Sequence, residues 1–561
     1  MNKVLNKLQH LIEDRHYMRR RAVFAFISPM LATDQKRPFY GFFKEAVRKR
    51  GIGAVILDEV EMLMQHTAFR TEVRMIKALL ATLKKHAHRK NIRIVGLCAT
   101  MAPEDASRTE SLLGVTFTKM VWATPREMSR RQIRIELEIR EPAQVMTKAK
   151  ESLSEIVESS DDVCAMILTQ TNQRVDQIGD SIYYQYCLEE AKEADLRREQ
   201  QLVLAAGGTG DEQAGVVDAA ENIDPSMANG AEQGSNTISN KQDTSPIPTT
   251  KDIVNKWSFI PLTGDSPPEA KTVGINLFCR NLPDHPQSTR YRICLMTAGL
   301  GCAGVSNPNL RLVVSDGVPD SHNTAVQMAG RLIRGNAIEG QNYRFVVFVS
   351  TQGFAQLLRR TYSSDAPSHV INDQVKRHKS VLSTFVYEKK CIHHVWENLF
   401  GQPSSEHDTL EEPLPDHCGG NCPVCSPHHR ANLFLHVERS RLRSALLNVF
   451  ESVMEVPMNK FTSLLFAHGV KVGAFLGKNE NKPLESKSIQ KFQVDALALQ
   501  LYCAGIVEHT HSKIDGVVQI KLRLAQNDAM FRLVDFAGSF HHIHGVTDID
   551  PRNPVFFGQQ Q

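Results

Sequence analysis

Two blocks of this 561-residue sequence alternate short apolar runs with polar, helix-patterned stretches, and that alternation restricts the fold more than any other feature. In residues 22 to 135, "AVFAFISP", "AVILDE" and "IRIVGLCAT" read as strands, and "TEVRMIKALLATLKKHAHRK" reads as an amphipathic helix. The second block starts at Val163 with "VCAMILTQT" and continues through "SFIPLTGD", "RICLMTAG", "LRLVVSDG" and "YRFVVFVS". Apolar strands separated by helices build parallel sheets covered on both faces. The expectation is an α/β chain with two parallel-sheet lobes in series.

The second block is interrupted at about residues 196–255, a stretch rich in Ala, Gly, Asp, Glu, Ser and Asn. Such a segment buries too little apolar surface to offset its ordering entropy, so it reads as a disordered insertion. Beyond residue 380 come a Cys/His cluster and a helical region. That region ends in "GIVEHTHSKIDGVVQIKLRL", two strand-like runs around an Asp-Gly turn signal. No internal repeat is present.

Composition excludes several classes. No apolar run reaches the roughly 18 residues that span a bilayer, and "MNKVLNKLQHLIEDRH" lacks the apolar centre of a secretory signal. Eleven cysteines, scattered except for one cluster, predict a reducing compartment and a metal site, not a disulfide framework. An intracellular soluble protein is expected. The net charge of +4 hides a basic start, with twelve Lys or Arg against four Asp or Glu in residues 1–50. That bias suits a phosphate-facing surface, and equally a solvated face.

The chemistry starts at "AVILDEVEML". Ala54–Leu57 is expected as a buried parallel strand with Asp58 and Glu59 at its carboxyl end, where α/β sheets place their sites. Nucleotide hydrolases use such a pair to hold magnesium and orient an attacking water. The partner of that pair is a Gly-rich phosphate loop, yet G-x-x-x-x-G-K-[ST] occurs nowhere in the sequence. The nearest string, "GAFLGKN" at Gly473–Asn479, is one residue short and reads as a surface turn.

Three later stretches bear on the acidic pair. "LCATM" puts Thr100 at the end of the next strand, and "MTAGLGCAGVSNPNLRLVV" (Met296–Val314) is a strand, a Gly-rich loop and a strand. In "QMAGRLIRG", a helix from about Thr324 would put Gln327, Arg331 and Arg334 on one face. Two arginines so presented can clamp a triphosphate on a neighbouring lobe; two solvated arginines are the plain alternative. Cys391 and the "CGGNCPVC" run with Cys418, Cys422 and Cys425 offer four soft ligands suited to tetrahedral zinc, with His393, His394 and His417 as lesser substitutes.

In this order and spacing the stretches resemble superfamily 2 helicases, and within these the RecQ family of DNA helicases. "DEVE" sits where that family has its DEAH box, and "QHTAFR" (Gln65–Arg70) is similar to its aromatic-rich loop. "CATM" resembles motif III, "MTAGLGCAGVSNPNLRLVV" motif V and "QMAGRLIRG" motif VI. "PLTGDSPPEAKTVGINLF" resembles the stretch before motif V. The zinc module with its upstream Cys and "FG" element also fits. The resemblance implies two RecA-like lobes, the first incomplete, followed by a zinc module and a winged helix. The corresponding spans are 1–135, 136–375, 380–430 and 435–545. "KFQVDALALQLYCAGIV" would be the recognition helix, and "EHTHSKIDGVVQIKLRL" the wing hairpin that wedges a duplex junction.

By the same resemblance, Asp58, Glu59, Arg331 and Arg334 are catalytic, with Mg2+ brought by ATP. Coupling between ATP and DNA would pass through Glu61, Thr100, Gln327 and Gly304, and nucleic acid would meet Arg70, Thr297 and Asn307. Zinc would be structural, and DNA and ATP would be the partners, in the nucleus, in repair and recombination. The sequence departs from the family in four ways. It lacks the phosphate loop, the adenine-reading segment before it and the first DNA-contacting motifs, so it is expected to begin inside the first lobe near "FISPM"; Glu61 replaces a His; the aromatic-rich loop lacks its Trp; and Ile333 replaces a small residue. Two functions stay open. One is an ATP-driven 3′–5′ DNA helicase, the other a helicase remnant that binds DNA through its zinc module and winged helix. An in-frame Gly-Lys-Thr or Gly-Lys-Ser loop encoded upstream of Met1 would separate them.

Overall fold

The computed structural model describes residues 38–48, 52–61, 71–87, 92–122, 130–139, 152, 155, 163–180, 199–200, 257–279, 291–301, 305–333, 341–388, 390–401, 418–426, 435–451, 453–470, 472–474, 487–525 and 546–547. The strand expected at "AVFAFISP" lies outside them, as does the insertion at about 196–255 apart from residues 199–200, which are helical.

The first part comprises α1 (Pro38–Arg48), β1 (Ala54–Leu57), α2 (Thr71–Ala87), β2 (Arg93–Gly96) and α3 (Pro103–Leu113). In α2, Ile76, Leu79, Leu80 and Leu83 recur at helical spacing and are all buried, closing over Phe43, Val60, Ile92 and Val115. α3 starts on Pro103 and stops at Gly114, whose left-handed φ of 65° turns the chain towards Val115. β1 pairs with β2 in parallel, as the pattern predicted. The expected burial of Ala54–Leu57 is corrected, since the strand alternates exposed and half-buried residues and Ile56 is 50% exposed. The reason is that β1 has only β2 as a hydrogen-bonded neighbour among the described residues.

The second part is a six-stranded, all-parallel sheet in the order β3–β8–β7–β4–β6–β5. Its elements run β3 (Ile133–Ile139), β4 (Val163–Thr169), β5 (Trp257–Leu262), α4 (Pro268–Cys279), β6 (Tyr291–Thr297), β7 (Leu310–Asp316), α5 (His322–Ala329), β8 (Tyr343–Val349) and α6 (Thr351–Tyr362). The central strands β7 and β8 are buried along almost their whole length, as their unbroken apolar runs require. β3 spans the expected lobe boundary at 135/136 and pairs with β8, so all of it belongs to this sheet.

α7 (Ser368–Val386) leads into α8 (Ile392–Phe400), then β9 (Leu435–Glu438), α9 (Arg439–Glu451), β10 (Val456–Pro457), α10 (Met458–Ala467), β11 (Val472–Ala474) and α11 (Lys487–Cys503). The hairpin β12 (Val507–Ile514) and β13 (Val517–Leu524) turns at Asp515–Gly516, where both φ values are positive, as the Asp-Gly signal predicted. β10 adds to β13, while β11 and β14 (Val546–Thr547) flank β9. α11 differs from a recognition helix open to nucleic acid. Its residues Gln493 to Tyr502 are buried, because they pack into the same apolar cluster as the six-stranded sheet. No helix among the described residues is long and apolar enough to cross a membrane.

One buried carboxylate joins the sheet to the C-terminal helices. Asp495 on α11 accepts the Thr351 backbone N–H at 3.0 Å and the Thr462 hydroxyl at 2.8 Å, and it also accepts the Thr351 hydroxyl. It thereby satisfies an orphan donor at the start of α6. Asp495→Ala strands those donors and should destabilise the protein by about 3 kcal/mol, read as a lower urea midpoint. An unchanged midpoint would show that the C-terminal helices are not held through this carboxylate.

Candidate functional site

Asp58 and Glu59 stand at the carboxyl end of β1, as the strand pattern predicted. The chain turns sharply there. Glu59 has φ of 51°, uncommon for a side chain with a Cβ, and its N–H donates to Asp58 Oδ1 at 3.1 Å. Two residues on, Glu61 is buried, and Gln327 from α5 reaches across to it. The Gln327 amide donates to Glu61 Oε1 at 2.7 Å and to Thr100 Oγ1 at 3.3 Å. Three stretches far apart in sequence therefore meet in one contact between the two sheets. A second link is the Arg377–Asp105 ion pair, at 2.7 Å.

The Glu59 carboxyl lies beside Glu61, within hydrogen-bonding reach. Burial above all, reinforced by Glu59, pushes Glu61 up to about 8. Its Oε2 and that of Glu59 have no hydrogen-bond partner among the described residues. At neutral pH Glu61 is thus the acid of the pair, and it accepts from Gln327 with its other oxygen.

The arginine element departs from expectation. α5 starts at His322 and ends at Ala329, not beyond Arg334, so Gln327 and Arg331 do not share a helix face. Arg331 lies in the following turn, buried, with Nη1 donating to the Val305 carbonyl at 3.2 Å. It braces the loop after β6, and its guanidinium is not presented to solvent. Arg334, Gly304 and Arg70 lie outside the described residues. Thr297 ends β6, half-buried, in register with Thr169 of β4. Asn307 is corrected from a nucleic-acid contact to a buried structural residue. Its amide donates to Cys164 Sγ at 3.1 Å and to the Phe278 carbonyl, and it accepts the Asn309 N–H at 2.8 Å.

The sequence reading missed a cleft of about 700 Å³ at the carboxyl ends of β4, β7 and β8. Gln170, Arg174, Asp316, Gln356, Arg359 and Arg360 line it. Arg174 forks onto Asp316 at 2.7 and 3.3 Å, and Arg360 bonds Asp320 at 2.9 Å and the Gln170 carbonyl at 2.7 Å. Arg359 stands exposed on the rim. The available signal was the Arg359-Arg360 pair following a buried strand.

Cys391, Cys418, Cys422 and Cys425 come together with all four Sγ atoms within 4.8 Å of one another. The Cys391–Cys422 separation is 3.9 Å, close to the ~3.8 Å edge of a tetrahedron with 2.3 Å metal–sulfur bonds. Hydrogen bonding among the four thiols holds Cys422 and Cys425 below the ordinary thiol range and raises Cys391 and Cys418 above it. The four residues fit a tetrahedral metal with no position left for water. His393 is not among them, since its Nε2 faces the Ile133 carbonyl at 3.1 Å, and His394 faces Asn398 at 3.0 Å. His417 lies outside the described residues.

No family model matches the sequence, and no curated protein matches it either. Solved helicase structures are similar at low identity. Mss116p bound to single-stranded RNA and AMP-PNP is 15% identical, with a TM-score of 0.31 over 62% of this chain and 56% of that one. Dbp5 of S. cerevisiae bound to RNA and ADP BeF3 is 11% identical, with a TM-score of 0.29 over 61% of each chain. The DUF1998 helicase MrfA bound to DNA is 12% identical, with a TM-score of 0.30 over 65% of this chain and 39% of that one. The chain spans between 39% and 61% of the length of these three proteins.

Two outcomes are expected. Glu61 has a folded pKa above its ordinary 4.5, so its contribution is complete below that value and fades as pH rises through about 8. Thermal midpoints should fall over that window in the native protein and stay flatter in Glu61→Gln; parallel curves would place the proton elsewhere. Purified protein should carry one metal ion by elemental analysis, and Cys422→Ser should lose it and unfold the region around α8. Metal-free protein with α8 intact would dismiss the site.

Proposed function

We propose that the chain is a RecQ-like helicase motor that works on DNA with 3′–5′ polarity. Its 561 residues contain no phosphate-binding loop, so it engages nucleic acid without turning over ATP efficiently. The observation that carries this reading is the Gln327 bridge to Glu61 and Thr100. It joins the stretches that resemble the DEAH box, motif III and motif VI, the three that must meet if nucleotide and DNA are to be coupled.

In this reading Asp58 holds magnesium through water when ATP brings it, and Glu59 orients the attacking water. Arg334 supplies positive charge from the second lobe. Gln327 reports lobe closure to Glu61. Zinc, held by the four cysteines, is structural. Thr297 and the cleft with Arg174, Arg359 and Arg360 face the phosphate backbone, and the β12–β13 hairpin stands at the junction with Ile514 and Val517 exposed beside its turn. A second reading, a DNA-binding remnant without turnover, is favoured by the buried Arg331 and by the absence of G-x-x-x-x-G-K-[ST].

ATP hydrolysis and DNA binding separate the two. The chain should bind single-strand/duplex junctions with strong salt dependence, because neutralised phosphates release counterions. Arg359→Glu should weaken that binding for all sequences and lower the salt slope by roughly one to two. The chain alone should not hydrolyse ATP. Fusing an in-frame phosphate-loop segment should restore DNA-stimulated hydrolysis, and Arg334→Ala should then remove about 10³-fold of it. Hydrolysis that stays absent in the fusion selects the remnant. Salt-independent binding rejects both readings.

A further inference from the structure

Three sets of contacts converge on the two residues that lead into β3. The Arg130 guanidinium donates through Nη1 to the carbonyls of Gly330 at 2.7 Å and Ile333 at 3.3 Å. These carbonyls bracket Arg331 and follow the last turn of α5, where backbone acceptors have no intrahelical donor and the helix dipole favours a cation. Only glycine admits this approach, since a Cβ on Gly330 would lie 2.6 Å from Arg130 Nη1. The neighbouring Arg131 holds a different body. Its guanidinium forks onto Glu397 of α8 at 3.1 and 3.4 Å, and its carbonyl accepts Asn421 Nδ2 at 2.8 Å. Asn421 precedes the ligand Cys422, and its own carbonyl takes the Ile135 N–H of β3 at 2.8 Å.

Two adjacent residues therefore join the four-cysteine module to the turn that carries Arg331 and leads in sequence into Arg334. We infer that Arg130 is a positioning residue for that turn, and that the metal-holding module sets its place through Arg131 and Asn421. Consecutive Cα atoms are about 3.8 Å apart and the peptide between them is planar. A shift of Arg131 with the module is thus passed directly to Arg130. Arg131 is anchored by a fork to a buried carboxylate and by a backbone acceptor, so it cannot slide independently of α8. The functional meaning rests on the proposed role of the motif VI arginines, but the mechanical link does not.

The test is amide hydrogen exchange on the full chain, with and without metal. The turn is closed by the Gly330, Arg331 and Leu332 N–H groups, bonded to the Val326, Met328 and Ala329 carbonyls at 2.8, 3.1 and 3.1 Å. Arg130→Ala should speed their exchange by about tenfold while the α6 amides stay unchanged, and Arg130→Lys should recover part of the protection. Chelating the metal should open the same three amides in the native protein, zinc chloride should close them, and chelation should add nothing in Arg130→Ala. Glu397→Gln, which loosens Arg131 with all four cysteines intact, should reproduce the chelation effect in weaker form. Unchanged turn amides in Arg130→Ala would overturn the inference. So would chelation opening the turn equally with and without Arg130. The readout needs no nucleotide, so loss of the helicase reading would leave this result standing, and failure here would leave that reading untouched.

Discussion

A parallel sheet must be covered on both faces and cannot leave a long flat edge open, and the rest of this structure answers that constraint. The exposed edge would be β3. It is closed by the four-cysteine module, through Asn421 on the Ile135 N–H and His393 on the Ile133 carbonyl. Its register against β8 is fixed by the Arg344–Glu136 pair, buried at 2.7 and 2.8 Å. One apolar cluster then runs from Phe345 and Val347 through Trp396 and Cys422 to Leu497 and Ile520. The C-terminal region is therefore part of the sheet's own cover, and Asp495 is placed where only a satisfied carboxylate can stay buried.

The hairpin is held by the same logic. Tyr362 and Tyr502 bond the two ring nitrogens of His509 at 2.7 and 3.0 Å, and His511 stacks on Tyr362 with centroids 3.8 Å apart. Burial lowers His509 to about 4, so the ring stays neutral at ordinary pH and keeps one donor and one acceptor for its two tyrosines. The base of the hairpin is thus locked to α6 and α11, while its tip projects Ile514 and Val517.

Where one residue type had one reason to be there, the sequence was sufficient. The apolar runs of β4, β7 and β8 have no other use than a doubly covered strand, Asp515–Gly516 has no better use than a hairpin turn, and four cysteines so spaced converge as expected. It failed where the answer depended on partners distant in sequence. Nothing local in "AVIL" tells that β1 has a single strand beside it among the described residues, and nothing in "QMAGRLIRG" tells that α5 stops at Ala329. That stop involves Arg130, two hundred residues away, whose guanidinium takes over the carbonyls of Gly330 and Ile333. Asn307 misled for the same reason, since a loop asparagine and a buried asparagine look alike until Phe278 and Cys164 are placed around it.

Among the described residues, the polar contact between the sheets rests on Gln327 and the Arg377–Asp105 pair, and part of its strength depends on protonation. Gln327 is one neutral amide shared by Glu61 and Thr100, and Arg377–Asp105 is one ion pair with half-covered partners. Both are polar contacts, so neither holds the lobes together by hydrophobic cover. If Glu61 were ionised beside Glu59, a buried and a half-buried carboxylate would repel at the spot where the lobes meet. A proton on Glu61 removes that repulsion. The strength of the contact between the sheets then follows the occupancy of one proton.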